Sequence, residues 1–494
     1  MTRLAPTPVF QSPNFHSDRV NGDETSLAAP GPTGPPFYSV SLGIVVCPQP
    51  HARQSNTPGT KTRIYTVVYA ELLIPGDGEP IQDATLVAED KLIAWVGKTS
   101  DLPRKFTERA AKTHSVPYLM PGLWDCHAHF GGGGPEEGDW PAYMGFVAAQ
   151  PIASGARLGR QCWEALQWGY TSLRDVAGFG CEVAQAIDDG SIVGPNIYSA
   201  GACLSQLAGH GDVFALPAGD VLLNLGVSAI RPGHFATNMS CIVDGVEECR
   251  RGVRLQIRRG AKCIKVLVSG GVMSSNDDPM YAQFSAEELQ VIVEEAGRMH
   301  RAVAAHVHGK PGILAAVRAG VTTVEHVSFA DQECVNLIKE KGVIYVATAT
   351  VVRIDTGELP EENRRKLELI ATNHRKAYRL AVAAGVTIAL GTDTPPGYNM
   401  AKEIEYAVDA GLSNLEAIKA ATANGPRTLG DQAPKTGQLK VGYEADFLGV
   451  VENPVKDVKV LQKRANIKWV WKSGKLFKGP GVGPWGEDLN SYND

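Results

Sequence analysis

Ala316-Val-Arg-Ala-Gly320, running straight into Val321-Thr-Thr-Val-Glu-His326, is the stretch on which the reading of the fold turns. Its first half reads as the end of a helix, and a glycine just past a helix end takes the left-handed conformation at no steric cost. The apolar run that follows is short enough for a buried parallel strand, and a histidine closes it. The phrase recurs as Ala165-Leu-Gln-Trp-Gly169 before Tyr170–Asp175, as Gln256-Ile-Arg-Arg-Gly260 before Ala261–Lys265, and as Ala381-Val-Ala-Ala-Gly385 before Val386–Leu390. Each copy is a helix-to-strand joint.

Working outward, strands near Leu119–Trp124, Asn196–Ala200, Ala302–His306 and Val343–Ala347 bring the count to eight, alternating with helical segments. That is the count of a (β/α)8 TIM-type barrel, an α/β fold, here expected over residues 119–435. An open doubly wound sheet is the alternative. The barrel is preferred because the chemically interesting residues end different strands, and a barrel gathers such ends around one mouth. Short strands joined by turns occupy both flanks, at Ile64–Ala70, Ala84–Ala88 and Leu92–Val96, and again at Ala445–Val451 and Ile467–Lys472. They are expected to pair into a small composite β-sandwich, residues 61–118 and 436–494. Residues 1–60 hold ten of the 31 prolines, which predicts a flexible tail.

Over 494 residues the net charge is only -5, and Lys and Arg are scattered, which argues against nucleic acid or an anionic membrane as partner. A small-molecule substrate fits better. The nine cysteines form no CxxC pair, as expected of thiols in a reducing compartment. With no signal-like apolar run at the start and no membrane-length apolar stretch, a cytoplasmic location is expected, a non-standard export route being left open.

Chemistry concentrates at the strand ends. His127-Ala-His129 closes the first strand, and side chains two apart on a strand point the same way, offering two imidazoles to one metal. Alone, such a pair would equally suit a polar strand exit. Lys265 sits inside the apolar run Cys263-Ile-Lys-Val-Leu-Val268. A buried ammonium is costly. Either the lysine snorkels to solvent, or its neutral amine takes up carbon dioxide and becomes a carbamate able to bridge two cations. His306 and His326 end the fifth and sixth strands, and Asp393 ends the eighth, where an isolated aspartate would read as a helix N-cap. Six residues of metal-compatible type on five strands say more than any one. Imidazole and carboxylate donors suit two divalent cations, Zn²⁺ first. Asp393 is further expected to carry a proton as base and then acid, and His308 and His210 to bind substrate or stabilise an oxyanion.

The phrases Pro121-Gly-Leu-Trp-Asp-Cys-His127, Ser205-Gln-Leu-Ala-Gly-His-Gly-Asp212, Ser269-Gly-Gly-Val-Met273 and Gly479-Pro-Gly-Val-Gly-Pro-Trp-Gly486 resemble the amidohydrolase superfamily, from about residue 63 to the C-terminus. Within it the likeness is to fungal amidases, with metal-dependent carboxypeptidases and Xaa-Pro dipeptidases as relatives. The resemblance implies that His127, His129 and Asp393 hold one metal, His306 and His326 the other, and that carbamylated Lys265 bridges them. It implies hydrolysis of N-acyl amino acids, ochratoxin A among them, and a homo-oligomer, octamer included. A general carboxypeptidase or dipeptidase is the alternative within the class. A metal-dependent decarboxylase or a non-catalytic scaffold protein are the alternatives outside it, and retention of all six ligands speaks against the scaffold.

Overall fold

The computed structural model describes residues 65–133, 151–228, 239–353, 359–398 and 400–487. The expected tail over residues 1–60 lies outside the described residues.

The described chain opens with strands β1 (Tyr65–Leu73), β2 (Ile81–Glu89), β3 (Leu92–Lys98) and β4 (Ala110–Pro121). β1 runs antiparallel to β2, with Val68 opposite Leu86, and parallel to β4, with Val68 opposite His114. Leu119-Met-Pro121 therefore belongs to β4 of this sheet, not to the first strand of the parallel array, which corrects the expectation from sequence. The chain crosses between the two at Gly122, where a Cβ would fall 2.0 Å from Thr171 Oγ1. Only glycine fits there.

Next come the strands of the α/β body. β5 (Leu123–Phe130), β6 (Tyr170–Gly178) and β7 (Asn196–Ser199) form one parallel sheet. β8 (Cys203–Ser205), β9 (Ser240–Ile242), β10 (Cys263–Leu267), β11 (Ala302–Val307), β12 (Thr323–His326), β13 (Ile344–Val346) and β14 (Ile388–Ala389) form a second, in the order β14-β13-β12-β11-β10-β8-β9. Helices alternate with them, among others Gly245–Arg259, Ala286–Arg298, Lys310–Ala319, Gln332–Lys341 and Glu361–Ala383. The four punctuating glycines are left-handed as expected: Gly169, Gly260, Gly320 and Gly385 have φ of 84°, 115°, 93° and 72°. Gly342 is a fifth joint of the same kind, between Gln332–Lys341 and β13. Neither β8 nor β9 is expected from the sequence, since three residues are too few for a periodic signal.

Backbone bonds also join the two parallel sheets to each other. The Cys126 N–H donates to the Leu390 carbonyl at 2.8 Å, Asp393 N–H to His127 at 2.7 Å, and Lys262 N–H to Ser199 at 2.7 Å. Strand side chains such as Val266, Val303 and Val324 pack with helix residues such as Ile292, Ile313 and Ile338 in one continuous core.

The last strands, β15 (Phe447–Val450), β16 (Ile467–Lys472) and β17 (Lys475–Lys478), return to the opening ones. β15 lies antiparallel on β4, Phe447 opposite Pro121, so both flanks complete one seven-stranded sheet in the order β17-β16-β15-β4-β1-β2-β3. Phe447, Trp471, Val68 and Leu86 share its core. Among the described residues no helix is long and apolar enough to cross a membrane.

Candidate metal centre and active site

The parallel strands bring all six expected ligands together at one end. His127 and His129 lie near the end of β5, Lys265 at the centre of β10, His306 one residue before the end of β11 and His326 at the end of β12. Asp393 lies four residues past β14, which is shorter than the sequence suggested, and its position is fixed by the bond of its N–H to His127. In β11, Val307 pairs with His326, while His306 pairs with Leu267 of β10. Strand register thus sets the spacing.

Two sets of donors emerge. In His127, His129 and Asp393 the ligand atoms lie within 4.8 Å of one another, and the same holds for His306, His308 and His326. Asp393 Oδ1 is 2.9 Å from His129 Nε2 and 3.5 Å from His127 Nε2, and its Oδ2 is 4.0 Å from His326 Nδ1. Lys265 Nζ reaches His127 Nε2 at 3.3 Å. This lysine is 2 % exposed, so it does not snorkel to solvent.

Each imidazole has a partner that fixes its tautomer. Glu325 Oε2 accepts from His127 Nδ1–H at 2.7 Å, and the Ala177 carbonyl accepts from His129 Nδ1–H at 3.2 Å. The Gly270 carbonyl accepts from His306 Nε2–H at 3.2 Å. Thr348 donates its hydroxyl hydrogen to the Ala347 carbonyl, and so accepts from His326 Nδ1–H at 2.6 Å. His127, His306 and His326 therefore each keep a second nitrogen as a lone pair, the state in which imidazole binds a cation, while His129 Nε2 faces the Asp393 carboxylate at 2.9 Å. His308, immediately after β11, bonds Ser328 through Nδ1 at 2.8 Å and stacks on His326. His210 stacks on His306 with ring centroids 4.3 Å apart, its Nδ1 2.7 Å from Ser274 Oγ and 3.5 Å from Asp277.

Electrostatics agree with neutral rings around an anion. Burial, helped by Lys265, lowers His127 to about 4, and burial with the neighbouring histidines lowers His308 to about 3. His306 and His326 are pushed well down, first by burial and then by adjacent imidazoles. Burial also depresses the Lys265 ammonium. For Asp393 burial pulls the other way, but His127, His129 and Lys265 outweigh it and hold the carboxylate ionised well below its usual range. His326 and Asp393 both adopt left-handed backbone, φ 67° and 60°, a strain on the order of 1–3 kcal/mol each that clusters at functional sites.

These residues form the floor of a cavity of about 350 Å³ whose walls include Leu267, Val272, Met273, Val351, Val352 and Leu367. A cavity of that size, apolar above and polar below, takes a small molecule with an aromatic or aliphatic body.

Sequence reasoning passed over the groups beneath the floor. Glu325 and Arg174 are fully buried and paired at 2.7 Å. Asp125 accepts from the His127 N–H at 2.9 Å and from the Thr392 hydroxyl at 2.6 Å, tying β5 to the segment that carries Asp393. The signal was present: charged residues inside Thr171-Ser-Leu-Arg-Asp175 and Thr323-Val-Glu-His326 are as hard to bury unpaired as Lys265 is.

A floor of strand-end histidines with a buried lysine and an aspartate is the arrangement of a metal-assisted hydrolase. The amidohydrolase family model matches residues 118–477, and the chain belongs to that family and is a hydrolytic enzyme. It is 58% identical over 462 residues to ochratoxinase of Aspergillus niger, covering 91% of this chain and 96% of the relative. The crystal structure of the A. niger ochratoxinase superposes with a TM-score of 0.83 at 60% identity, over 86% of this chain and 98% of that one. A Xaa-Pro dipeptidase crystallised with methionine in its active site superposes with a TM-score of 0.71 at 27% identity, over 84% of this chain and 100% of that one.

Proposed function

We propose that this enzyme hydrolyses the amide bond of N-acyl amino acids, with ochratoxin A among its substrates and ochratoxin α and phenylalanine as products. The observation that carries the reading is the pair of ligand sets on the floor of an apolar cavity, in a chain 58% identical to ochratoxinase.

The donor set fits two divalent cations: outer partners leave lone pairs on His127, His306 and His326, His129 Nε2 lies 2.9 Å from the Asp393 carboxylate, which is held ionised, and no thiolate takes part. His127, His129 and Asp393 would hold one, His306 and His326 the other, with Lys265 as a carbamate between them, and Zn²⁺ suits these donors first. When bound, the cations would acidify a shared water and polarise the scissile carbonyl. Asp393 accepts the proton of the attacking water and delivers it to the departing amine nitrogen, which is a very poor leaving group without it. His308, held by Ser328 beside the floor, steadies the carbonyl oxygen, and His210 contacts the substrate from the Ser205–Asp212 loop.

A closed (β/α)8 barrel over residues 119–435 is supported by the Cys126, Asp393 and Lys262 backbone bonds that join the two parallel sheets. A composite β domain over 61–118 and 436–494 is supported by the β4–β15 pairing, which joins the two flanks in one sheet, and the sandwich requires that sheet to fold across itself. The eight described cysteines are buried and unpaired, in keeping with a reducing, cytoplasmic setting, and family resemblance supports a homo-oligomer.

A dipeptidase reading draws on the Xaa-Pro dipeptidase likeness. Incubating metal-loaded protein with ochratoxin A, other N-acyl amino acids and Xaa-Pro dipeptides, and identifying products by mass, separates the two. Release of phenylalanine from ochratoxin A is the expected result. Carbon dioxide as product, or turnover of dipeptides alone, would overturn it.

A further inference from the structure

Behind His127, on the side away from the cavity, lies a charged pair that the catalytic scheme does not use. Arg174 of β6 and Glu325 of β12 are each fully buried, and the guanidinium meets Glu325 Oε1 at 2.7 Å. The two carboxylate oxygens divide their work. Oε1 takes Arg174 and the Thr323 hydroxyl, whereas Oε2 faces His127 Nδ1 at 2.7 Å. Arg174 reaches further, donating from Nε to the carbonyl of Cys126 at 2.5 Å and from a terminal nitrogen to Thr323 Oγ1 at 3.0 Å. It thus grips the backbone just before His127 while anchoring the carboxylate that holds the ring.

A buried ion pair is by itself weak evidence of a stabilising role, because desolvating both charges offsets much of their attraction. Packed apolar side chains would fill the space as well. What they would not supply is an acceptor for Nδ1–H. With a carboxylate there, the proton stays on Nδ1, and Nε2, 3.3 Å from Lys265 Nζ, keeps its lone pair toward the floor. A negative partner also makes the ring a stronger donor than a neutral one would.

The geometry points to Glu325 as a positioning residue for the metal centre, with Arg174 as its anchor: the pair fixes His127 as the Nδ1–H tautomer and strengthens the cation site that His127 shares with His129 and Asp393. This rests on the two-cation reading proposed above.

The test uses Glu325→Gln and the double variant Arg174→Met with Glu325→Gln, in which both charges leave together so that neither is stranded. The His127 tautomer is read by ¹⁵N NMR in metal-free protein, its signal assigned by loss in His127→Asn. Zn²⁺ affinity is read by chelator competition, and the thermal midpoint reports the fold. Wild-type protein should show Nδ1–H at His127. The double variant should keep the wild-type midpoint but mix tautomers and lose about 10- to 100-fold in Zn²⁺ affinity at one site. A double variant with unchanged tautomer and affinity would make the pair structural only. Should the variants not fold, an Nε2–H tautomer in wild-type protein overturns the inference unaided. Protein that binds no Zn²⁺ at all would instead overturn the two-cation reading, while the tautomer would still decide whether Glu325 orients His127.

Discussion

The two halves of the active-site floor are built on different foundations. On the His127 side the ring leans on an ionised carboxylate, which Arg174 pins from the core and which burial opposes, but which Arg174, His127 and Lys265 together hold down to about 2. On the other side His306 and His326 lean on neutral oxygens, the Gly270 carbonyl and the Thr348 hydroxyl. Charge-assisted hydrogen bonds are about twice as strong as neutral ones, and an anionic partner raises the donor strength of an imidazole. One donor set is therefore buttressed from the strand core, and the other rests in part on the loop after β10. The difference predicts an order of affinities: under the two-cation reading the His127 set should hold its cation more tightly, and the His306–His326 set should empty first.

The largest effect is expected on the buttressed side. Asp393→Asn keeps the shape of the side chain but removes the proton carrier, and the amide hydrolysis rate should fall by about 10²- to 10⁴-fold with the circular dichroism spectrum unchanged. A rate within threefold of wild type would remove Asp393 from the chemistry. Between the two halves stands Lys265. Its change to Ala should abolish most activity, with partial rescue by an added small carboxylic acid, whereas Lys265→Arg should give no rescue, because a guanidinium stays protonated and takes up no carbon dioxide. Near-normal metal content and rate in both variants would show that no carbamate is needed.

On the neutral side, Thr348→Val removes the acceptor of His326 Nδ1–H and should weaken only the looser Zn²⁺ site, by about 10-fold in a chelator competition. If the tighter site weakens instead, the order of affinities is reversed. The smallest effect concerns Glu403, which accepts from the Ala349 and Thr350 N–H groups behind Thr348. Burial raises its carboxyl from 4.5 to about 7, so the folded chain holds a proton there that the unfolded chain releases. Its contribution is therefore fully present below pH 4.5 and is lost as pH rises toward 7. Thermal midpoints measured across that window should show a shallower decline in Glu403→Gln than in wild type, and identical slopes would show that Glu403 does not titrate there.

Much of this floor was legible in the sequence, for one physical reason: a histidine, lysine or aspartate that closes or interrupts an apolar strand is expensive unless it has work to do. His127, His129, Lys265, His306, His326 and Asp393 all announced themselves in that way, and the glycines of the helix-to-strand joints gave the alternation that gathers them. Glu325 and Arg174 carried the same signal and were missed, because Glu325 stands next to a histidine that already accounted for the polarity of β12, and its partner lies 151 positions away. Pairing across a parallel sheet depends on register, which a single sequence does not display. For the same reason Leu119-Met-Pro121 was assigned to the parallel strands: its apolar character suits either sheet, and only the pairing of β4 with β1 and β15 distinguishes them.

The most direct test follows metal content and phenylalanine release from ochratoxin A in one chelator titration. About two cations per chain should leave in separate steps, activity should vanish with the first, and added Zn²⁺ should restore it. Full activity in protein stripped of both cations would contradict the account.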